Sequence, residues 1–260
     1  MISFKIMSGS DVPGLRRLWG AVFDEKPEAV ELFFERNTNN CRGYFAELEG
    51  KPVSALYLLD CSLNGKRAHY LCGAATLPDF RGRGIMSRLI GFALDDAVKR
   101  GDLFSLLFPA GESLYGYYRR FGYERKCFRK RIKICGEGGD LVLSAAFPDS
   151  EELQRLCFKK NFLLWNNNFV RFACDYYSLY GAKALWSGNA LAILLGDEII
   201  YSAYNDIKEL KKLLPAGEYL MTVKTDDPLF PGAPETEAGM LKPLGGDGLP
   251  DKVFLGLTLE

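Results

Sequence analysis

One stretch of the sequence, residues 73–101, constrains the fold more than any other. A mostly apolar run of small residues at 70–77 stops at Pro78, as a buried strand does. Over residues 85–98 the apolar side chains recur at helical spacing, and two cations and then Gly101 follow them. The stretch therefore predicts a strand, a glycine-rich turn and a helix in immediate succession.

The turn between that strand and that helix reads Arg-Gly-Arg-Gly at 81–84. Two residues without Cβ and two guanidinium groups at a helix N-terminus favour an anion, because free N–H groups and the helix dipole meet there. A Walker loop is excluded, since no glycine at the required spacing precedes Lys and then Ser or Thr. The dinucleotide fingerprint fails because Ser87 replaces its third glycine.

A third phosphate loop fits. Arg81-x-x-Gly84 after a strand ending in Leu-Pro resembles motif A of the GNAT superfamily of acyl-CoA acyltransferases, R/Q-x-x-G-x-G/A, with Met86 at the final Gly/Ala site. The resemblance implies that the loop cradles the pyrophosphate of coenzyme A. The candidate cofactor-binding residues are then Thr76, Leu77, Arg81, Gly82, Arg83, Gly84, Ile85, Met86 and Ser113.

Residues 112–123, ESLYGYYRRFGY, resemble motif B of the same superfamily, in which a short helix ends in a tyrosine before a Gly-Phe or Gly-Tyr opens the next strand. Tyr118 takes the position of that tyrosine, which in GNAT enzymes is commonly placed to protonate the departing coenzyme A thiolate. The chemistry needs a neutral hydroxyl within hydrogen-bond reach of the sulfur. The resemblance makes Tyr118 the candidate catalytic acid; the alternative is a packing role beside Tyr115 and Tyr117.

The rest of the first half has the element order of the GNAT fold. A strand at 2–6 precedes a helix with an N-cap at 8–11, and Pro27 opens a second helix. Hairpin turns at 50–52 and at Asn64-Gly65 then predict three antiparallel strands.

The second half repeats this order faintly after a glycine-rich linker at 136–139, which places the domain boundary between 1–134 and 140–260. The predicted elements are helices at 151–160, 165–180 and 206–214, a hairpin of 190–195 and 199–204, strands at 219–224 and 252–259, and a segment at 238–244 that echoes 121–126.

No phosphate loop is recognisable between residues 204 and 219, so the second half resembles a degenerate GNAT-like domain, a possible wall of the substrate site. The predicted fold class is α/β with mixed sheets, an N-terminal GNAT fold followed by this C-terminal domain. This tandem is similar to the Eis family of acetyltransferases without its third domain. In Eis-like enzymes the terminal carboxylate of the chain is the proposed base, and here the sequence ends at Glu260.

Charge is balanced overall but unevenly placed: residues 1–134 hold 22 Lys and Arg against 15 Asp and Glu, and residues 135–260 hold 11 against 18. Either the basic half attracts a phosphorylated ligand and the acidic half a cationic substrate, or the halves attract each other. The overall neutrality argues against nucleic acid. Seven scattered cysteines and a single histidine, His69, predict no disulfide framework and no metal site.

These features predict an acetyl-CoA-dependent N-acetyltransferase that acts on a primary amine of a small molecule or peptide. The N–H groups of Thr76 and Leu77 would polarise the thioester carbonyl. The base stays open among Glu112, Glu47, Asp60 and water. The alternative is a non-catalytic acyl-CoA-binding sensor or interaction protein. We expect a cytoplasmic protein without signal peptide or membrane span, and a homodimer is plausible.

Overall fold

The computed structural model describes residues 1–37, 40–138, 148–157, 160–245 and 248–258. Its α-helices are α1 Val12–Val22, α2 Pro27–Asn37, α3 Ile85–Lys99, α4 Glu112–Arg119, α5 Ser150–Cys157, α6 Asn167–Ser178 and α7 Ile207–Leu213. In the described ranges no helix is both long enough and apolar enough to span a membrane.

The strands alternate with these helices as an α/β chain requires. They are β1 Ser3–Ile6, β2 Cys41–Leu48, β3 Lys51–Leu63, β4 Lys66–Thr76, β5 Phe104–Leu107, β6 Phe128–Gly136, β7 Leu163–Trp165, β8 Lys183–Trp186, β9 Ala190–Leu195, β10 Glu198–Tyr204, β11 Gly217–Val223, β12 Glu235–Glu237 and β13 Met240–Pro243. The fold class is therefore confirmed as α/β with mixed sheets.

The chain forms two compact units that differ from the expected division at 134 and 140. The first unit is Met1–Glu124 with Leu241–Leu249, and the second is Arg125–Met240 with Pro250–Glu260. The reason is strand pairing: β6 lies in the second unit's sheet, and β13 lies in the first unit's sheet. The expected linker at 136–139 is a continuation of β6 up to Gly136, and Gly139 lies outside the described residues.

In the first unit the strands follow the order β1-β2-β3-β4-β5-β13. The hairpin turns were predicted correctly, and β3 runs without a break through both predicted segments. The predicted helix start at 8–11 is confirmed: Ser8 is the N-cap of a 3-10 turn over Gly9–Asp11 that leads into α1, and its N–H and Oγ donate to Asp11 Oδ2 at 2.8 and 2.6 Å. Helix α3 buries Ile85, Leu89 and other apolar side chains of one stripe, as its spacing predicts.

In the second unit the strands follow the order β12-β6-β11-β10-β9-β8. Strand β6 alternates buried isoleucines with cations, and the cations pair with carboxylates of the same unit. Arg131 lies 2.6 Å from Glu198, and Lys133 lies 2.7 Å from Glu218. The dense positive charge of this strand is therefore structural.

Residues 238–244 echo 121–126 and, like that segment, run into a strand of the other unit's sheet: β13 lies beside β5, and β6 lies in the second unit's sheet. One prediction for the second half is wrong. The final strand at 252–259 is reduced to isolated bridges at Val253 and Phe254. Residues 259–260 lie outside the described part of the chain.

The pairing also removes the charge asymmetry read from the sequence. Divided as the chain folds, the first unit carries 17 Lys and Arg against 16 Asp and Glu, and the second carries 16 against 17. The apparent excess in the first half came from the six cations between Arg125 and Lys133, which belong to the second unit. Net charge therefore gives no reason to assign different ligands to the two units.

Candidate active site

The sheet of the first unit opens beside the C-terminal part of β4. Strand β4 pairs with β3 as far as Thr76, but its parallel pairing with β5 covers only Ala68↔Phe104 to Tyr70↔Leu106. Beyond Tyr70 the edge of β4 that faces β5 has lost its strand partner. Backbone N–H and C=O groups of β4 are therefore available there to a ligand.

A tight packing point fixes β4 at this opening. The β3–β4 register shifts between Ala55 and Tyr57, and Gly73 has a φ of +58°. A Cβ on Gly73 would lie 2.7 Å from a ring carbon of Trp19 and 2.8 Å from one of Tyr57. Only glycine fits both the backbone conformation and the two rings.

The two predicted carbonyl-polarising amides differ in their availability. The Leu77 N–H donates to the Val53 carbonyl at 3.0 Å, so the prediction for Leu77 is wrong: its amide is already used within the sheet. Thr76 lies opposite Ser54, one residue before the hydrogen-bonded pair of Leu77 and Val53. At such alternate positions of an antiparallel pair, the backbone N–H and C=O groups point away from the partner strand. Thr76 therefore directs its N–H toward the opening.

The glycine-rich turn presents free amides at the start of α3. Gly82 and Gly84 have φ values of +74° and +70°, and no atom lies within 4 Å of a Cβ placed on either. Gly84 is the N-cap and has no side chain to cap the helix; the Arg88 N–H makes an α-helical bond to its carbonyl at 3.2 Å. The N–H groups of the first turn therefore remain available to an anion.

The two arginines of the turn are held differently. Arg81 donates from Nε to the Thr76 carbonyl at 3.0 Å, which ties the turn to the end of β4. The Arg83 guanidinium lies 5.4 Å from the centre of the Phe80 ring, and it has no carboxylate partner among the described residues. Ile85 is buried in the core and Met86 is half-buried. Met86 therefore need not cover the amides.

Helix α4 is linked to the same helix terminus. Ser87 Oγ and Tyr117 Oη are 3.2 Å apart, which joins the first turn of α3 to α4. Tyr118 is 7% exposed and packs edge-on against Tyr117 and Tyr123 at 5.3 and 5.9 Å. Burial raises the pKa of the Tyr118 hydroxyl to about 12. The predicted acid therefore stays protonated at neutral pH.

Ser87, Tyr117 and Arg120 were not predicted as site residues. Ser87 drew attention only as a misfit to the dinucleotide pattern, and Tyr117 only as a packing residue. The Arg120 guanidinium lies 4.8 Å from the centre of the Tyr117 ring, so it adds charge to this group. The predicted Ser113 is exposed in the first turn of α4.

The possible bases are spread over the unit. Asp60 lies 3.8 Å from Arg67 and 3.6 Å from Arg100 and is engaged in these ion pairs. Glu112 is exposed on α4. Glu47 pairs with Lys5 at 2.6 Å and lines a groove described below. Glu260 lies outside the described residues.

His69 is a packed strand residue. It is fully buried, and its Nδ1 lies 2.7 Å from Asp102 Oδ2. Burial lowers the pKa of His69 more strongly than Asp102 raises it. Burial opposes ionisation of Asp102, but the His69 hydrogen bond and the charges of Arg100 and Arg67 outweigh it and lower the pKa of this carboxyl. In the described ranges no cluster of His, Cys, Asp or Glu is arranged to hold a metal ion.

A groove of about 550 Å³ lies on the α1 face of the first unit's sheet, next to the end of β4. Its floor is apolar and its rim is charged. The lining residues that matter for the chemistry are Asp11, Arg17, Glu47, Lys51, Pro52 and Leu77. Leu77, which directly follows Thr76 at the end of β4, is the lining residue nearest in the chain to the place where the sheet opens.

The corresponding place in the second unit is closed. Strands β10 and β11 pair in parallel, as β4 and β5 do, but only two residues separate β10 from α7. Asp206 caps α7, and its carboxylate accepts from the Lys208 N–H at 2.9 Å. A carboxylate thus takes up a donor that a phosphate would need, and its charge repels a phosphate.

Comparison with known proteins identifies the family of the first part of the chain. A family model described as a GNAT acetyltransferase domain matches residues 3–125. The N-terminal half of this chain belongs to the GNAT superfamily. The match covers β1 to α4 and both candidate motifs, and it supports an acyltransferase enzyme. No curated protein matches the sequence.

Solved structures similar to this chain extend over both units. A conserved protein of unknown function from Enterococcus faecalis, described as a probable N-acyltransferase, has a TM-score of 0.72 at 16% identity over 94% of this chain and 73% of its own. A GCN5-related N-acetyltransferase from Kribbella flavida gives 0.67 at 15% over 94% and 72%. Eis1 from Mycobacterium abscessus gives 0.68 at 13% over 94% and 74%. The fold thus fits tandem GNAT-like domains.

Proposed function

We propose that this GNAT protein is an acetyl-CoA-dependent N-acetyltransferase that moves an acetyl group to a primary amine by direct attack on the thioester. One observation carries the proposal: the opening of the sheet beyond Tyr70 leads directly into the uncapped, glycine-rich N-terminus of α3, and α4 with Tyr118 is linked to that terminus. The opening of the sheet can accept the thioester, the N-terminus of α3 can bind the pyrophosphate, and Tyr118 can protonate the leaving sulfur.

The proposed reaction uses groups of the first unit. The pyrophosphate binds the amides between Gly82 and Met86, with Arg83 as a counter-charge. The neutral amine attacks the carbonyl carbon, and the Thr76 N–H stabilises the oxyanion that forms. The C–S bond breaks as the oxyanion collapses to the carbonyl, and Tyr118 gives its proton to the departing thiolate. The amine proton leaves to a base or to water, and Tyr118 is reprotonated from solvent.

The second unit is proposed to be degenerate with respect to coenzyme. Its short β10–α7 connection and the Asp206 cap support this, because both remove the phosphate cradle that the first unit retains. A reducing compartment such as the cytoplasm suits the free cysteines of the described residues.

Calorimetric titration with acetyl-CoA tests the proposal. The wild-type chain should bind one equivalent of acetyl-CoA, and Gly84→Asp should abolish binding, because its carboxylate would stand in the cradle. Gly91→Asp is the matched control: Gly91 lies inside α3 with no atom within 4 Å of an added Cβ. No binding by a folded wild-type chain would refute the coenzyme site. Binding without turnover of any amine would favour an acyl-CoA sensor.

A further inference from the structure

The carboxylates that line the groove beside β4 are paired within the protein, whereas the cations that line it are not paired with any described carboxylate. Two carboxylates face it, and both are already used within the protein. Asp11 accepts from the N–H and Oγ of Ser8, and Glu47 pairs with Lys5 at 2.6 Å. Arg17 and Lys51 also line the groove, and neither has an ion-pair partner in the part of the chain that the structure describes. The charge left over for a ligand is therefore positive.

Arg17 is placed by a local packing arrangement. The Pro52 ring approaches Gly14 so closely that a Cβ on this glycine would lie 3.0 Å from Pro52 Cγ. The same Cβ would lie 3.9 Å from a terminal nitrogen of Arg17. The guanidinium therefore lies back over Gly14 toward the proline that follows Lys51. Both cations thus border one end of the groove.

The floor between these cations and the end of β4 is apolar. Leu18 and Phe45 are 3% and 1% exposed, and Leu77 completes the lining toward Thr76. A ligand that suits these surfaces has an anionic group for the two cations and an apolar group for the floor. A guanidinium and an ammonium together bind a carboxylate through charge-assisted hydrogen bonds.

We propose that this groove binds the acceptor, and that the acceptor is an amine that also carries a carboxylate: an amino acid with an apolar side chain. Arg17 and Lys51 hold the carboxylate, and the apolar floor holds the side chain. The assignment rests on the proposed acetyltransferase function for the amine end, but the carboxylate site exists independently of turnover.

Product analogues test the site without requiring catalysis. Calorimetry on the full chain would compare N-acetyl-leucine, N-acetyl-phenylalanine and N-acetyl-methionine with their neutral amides. We expect at least one acid to bind about 10-fold to 100-fold more tightly than its amide, as charged hydrogen bonds allow. Added salt should reduce that preference, since both cations are exposed.

Matched variants decide the assignment. The preference for the acid should vanish in the Arg17→Gln/Lys51→Gln double variant. It should persist in Arg16→Gln, because the neighbouring Arg16 pairs with Glu31 at 3.0 Å and does not line the groove. Acids that bind no better than their amides, or a preference that survives in the double variant, would overturn the proposal. A preference found in a chain that fails to bind acetyl-CoA would keep the carboxylate site and refute the acetyltransferase function.

Discussion

Replacing Gly73 by alanine should destabilise the first unit much more than the same change at another glycine with positive φ. The added methyl carbon would lie 2.7 Å from Trp19 and 2.8 Å from Tyr57, at a residue with a φ of +58°. The left-handed conformation costs a non-glycine residue about 1–2 kcal/mol. Overpacking a tight core position costs about 1–3 kcal/mol more. The free energy of unfolding should therefore fall by about 2–5 kcal/mol.

Gly82→Ala is the matched control for this change. Its φ of +74° imposes similar backbone strain, but no atom lies within 4 Å of the added carbon. The expected loss is therefore about 1–2 kcal/mol. The difference between the two variants isolates the contact with the rings of Trp19 and Tyr57.

Thermal unfolding followed by circular dichroism, together with urea titration, measures both variants. In a chain of this size about 1 kcal/mol shifts the Tm by about 2–4 °C. Acetyl-CoA titration should show the reverse order, with Gly82→Ala losing more affinity than Gly73→Ala. Equal losses of stability in the two variants would refute the packing argument at Gly73.

Three further changes test other parts of the molecule. Tyr118→Phe should lower kcat by about 10²–10⁴-fold with little loss of stability, and equal kcat values for this variant and wild type would exclude the acid role. Tyr123→Phe is the control and should lower stability, because the Tyr123 hydroxyl lies 2.5 Å from Ser105 Oγ. Stability should fall as the pH drops from 7 to 5, because a lowered His69 pKa means that the unfolded chain binds more protons near pH 6.5, and His69→Gln should flatten this slope. A fragment of residues 1–124 should expose the β5 edge that β13 covers and aggregate, and addition of 241–249 through a short linker should improve its solubility.

The elements of the first half could be predicted because each has a local cause. The Asn64-Gly65 pair specifies a tight turn, the apolar spacing of 85–98 specifies a buried helix face, and Ser8 with Asp11 specifies a helix start. The glycine-rich turn was recognised for the same reason, since an uncapped helix start with two glycines has a chemical meaning of its own. The family match over residues 3–125 agrees with these local signals.

The site could be predicted only in part, because contacts across the sheet leave no local pattern. Leu77 and Thr76 look equivalent in the sequence, and only the register with β3 shows that the Leu77 amide is used at 3.0 Å. The 3.2 Å contact between Ser87 and Tyr117 joins residues thirty positions apart. The groove at Arg17 and Lys51 likewise needs the packing of Pro52 on Gly14, which no spacing encodes.

Strand β6 shows why the predicted domain boundary differs from the division into two compact units. Strand β6 reads as a plausible continuation of the first domain, since it follows motif B directly and has the alternation of an edge strand. Alternation determines which face is buried, but not which sheet supplies the hydrogen-bonding partner. Its cations are the feature that does discriminate: Arg131 and Lys133 need carboxylates, and their partners Glu198 and Glu218 both lie in the second unit. The opposite charges of the two sequence halves were therefore a signal of strand pairing, and a variant such as Lys133→Glu should lower the stability of the second unit while leaving acetyl-CoA affinity unchanged.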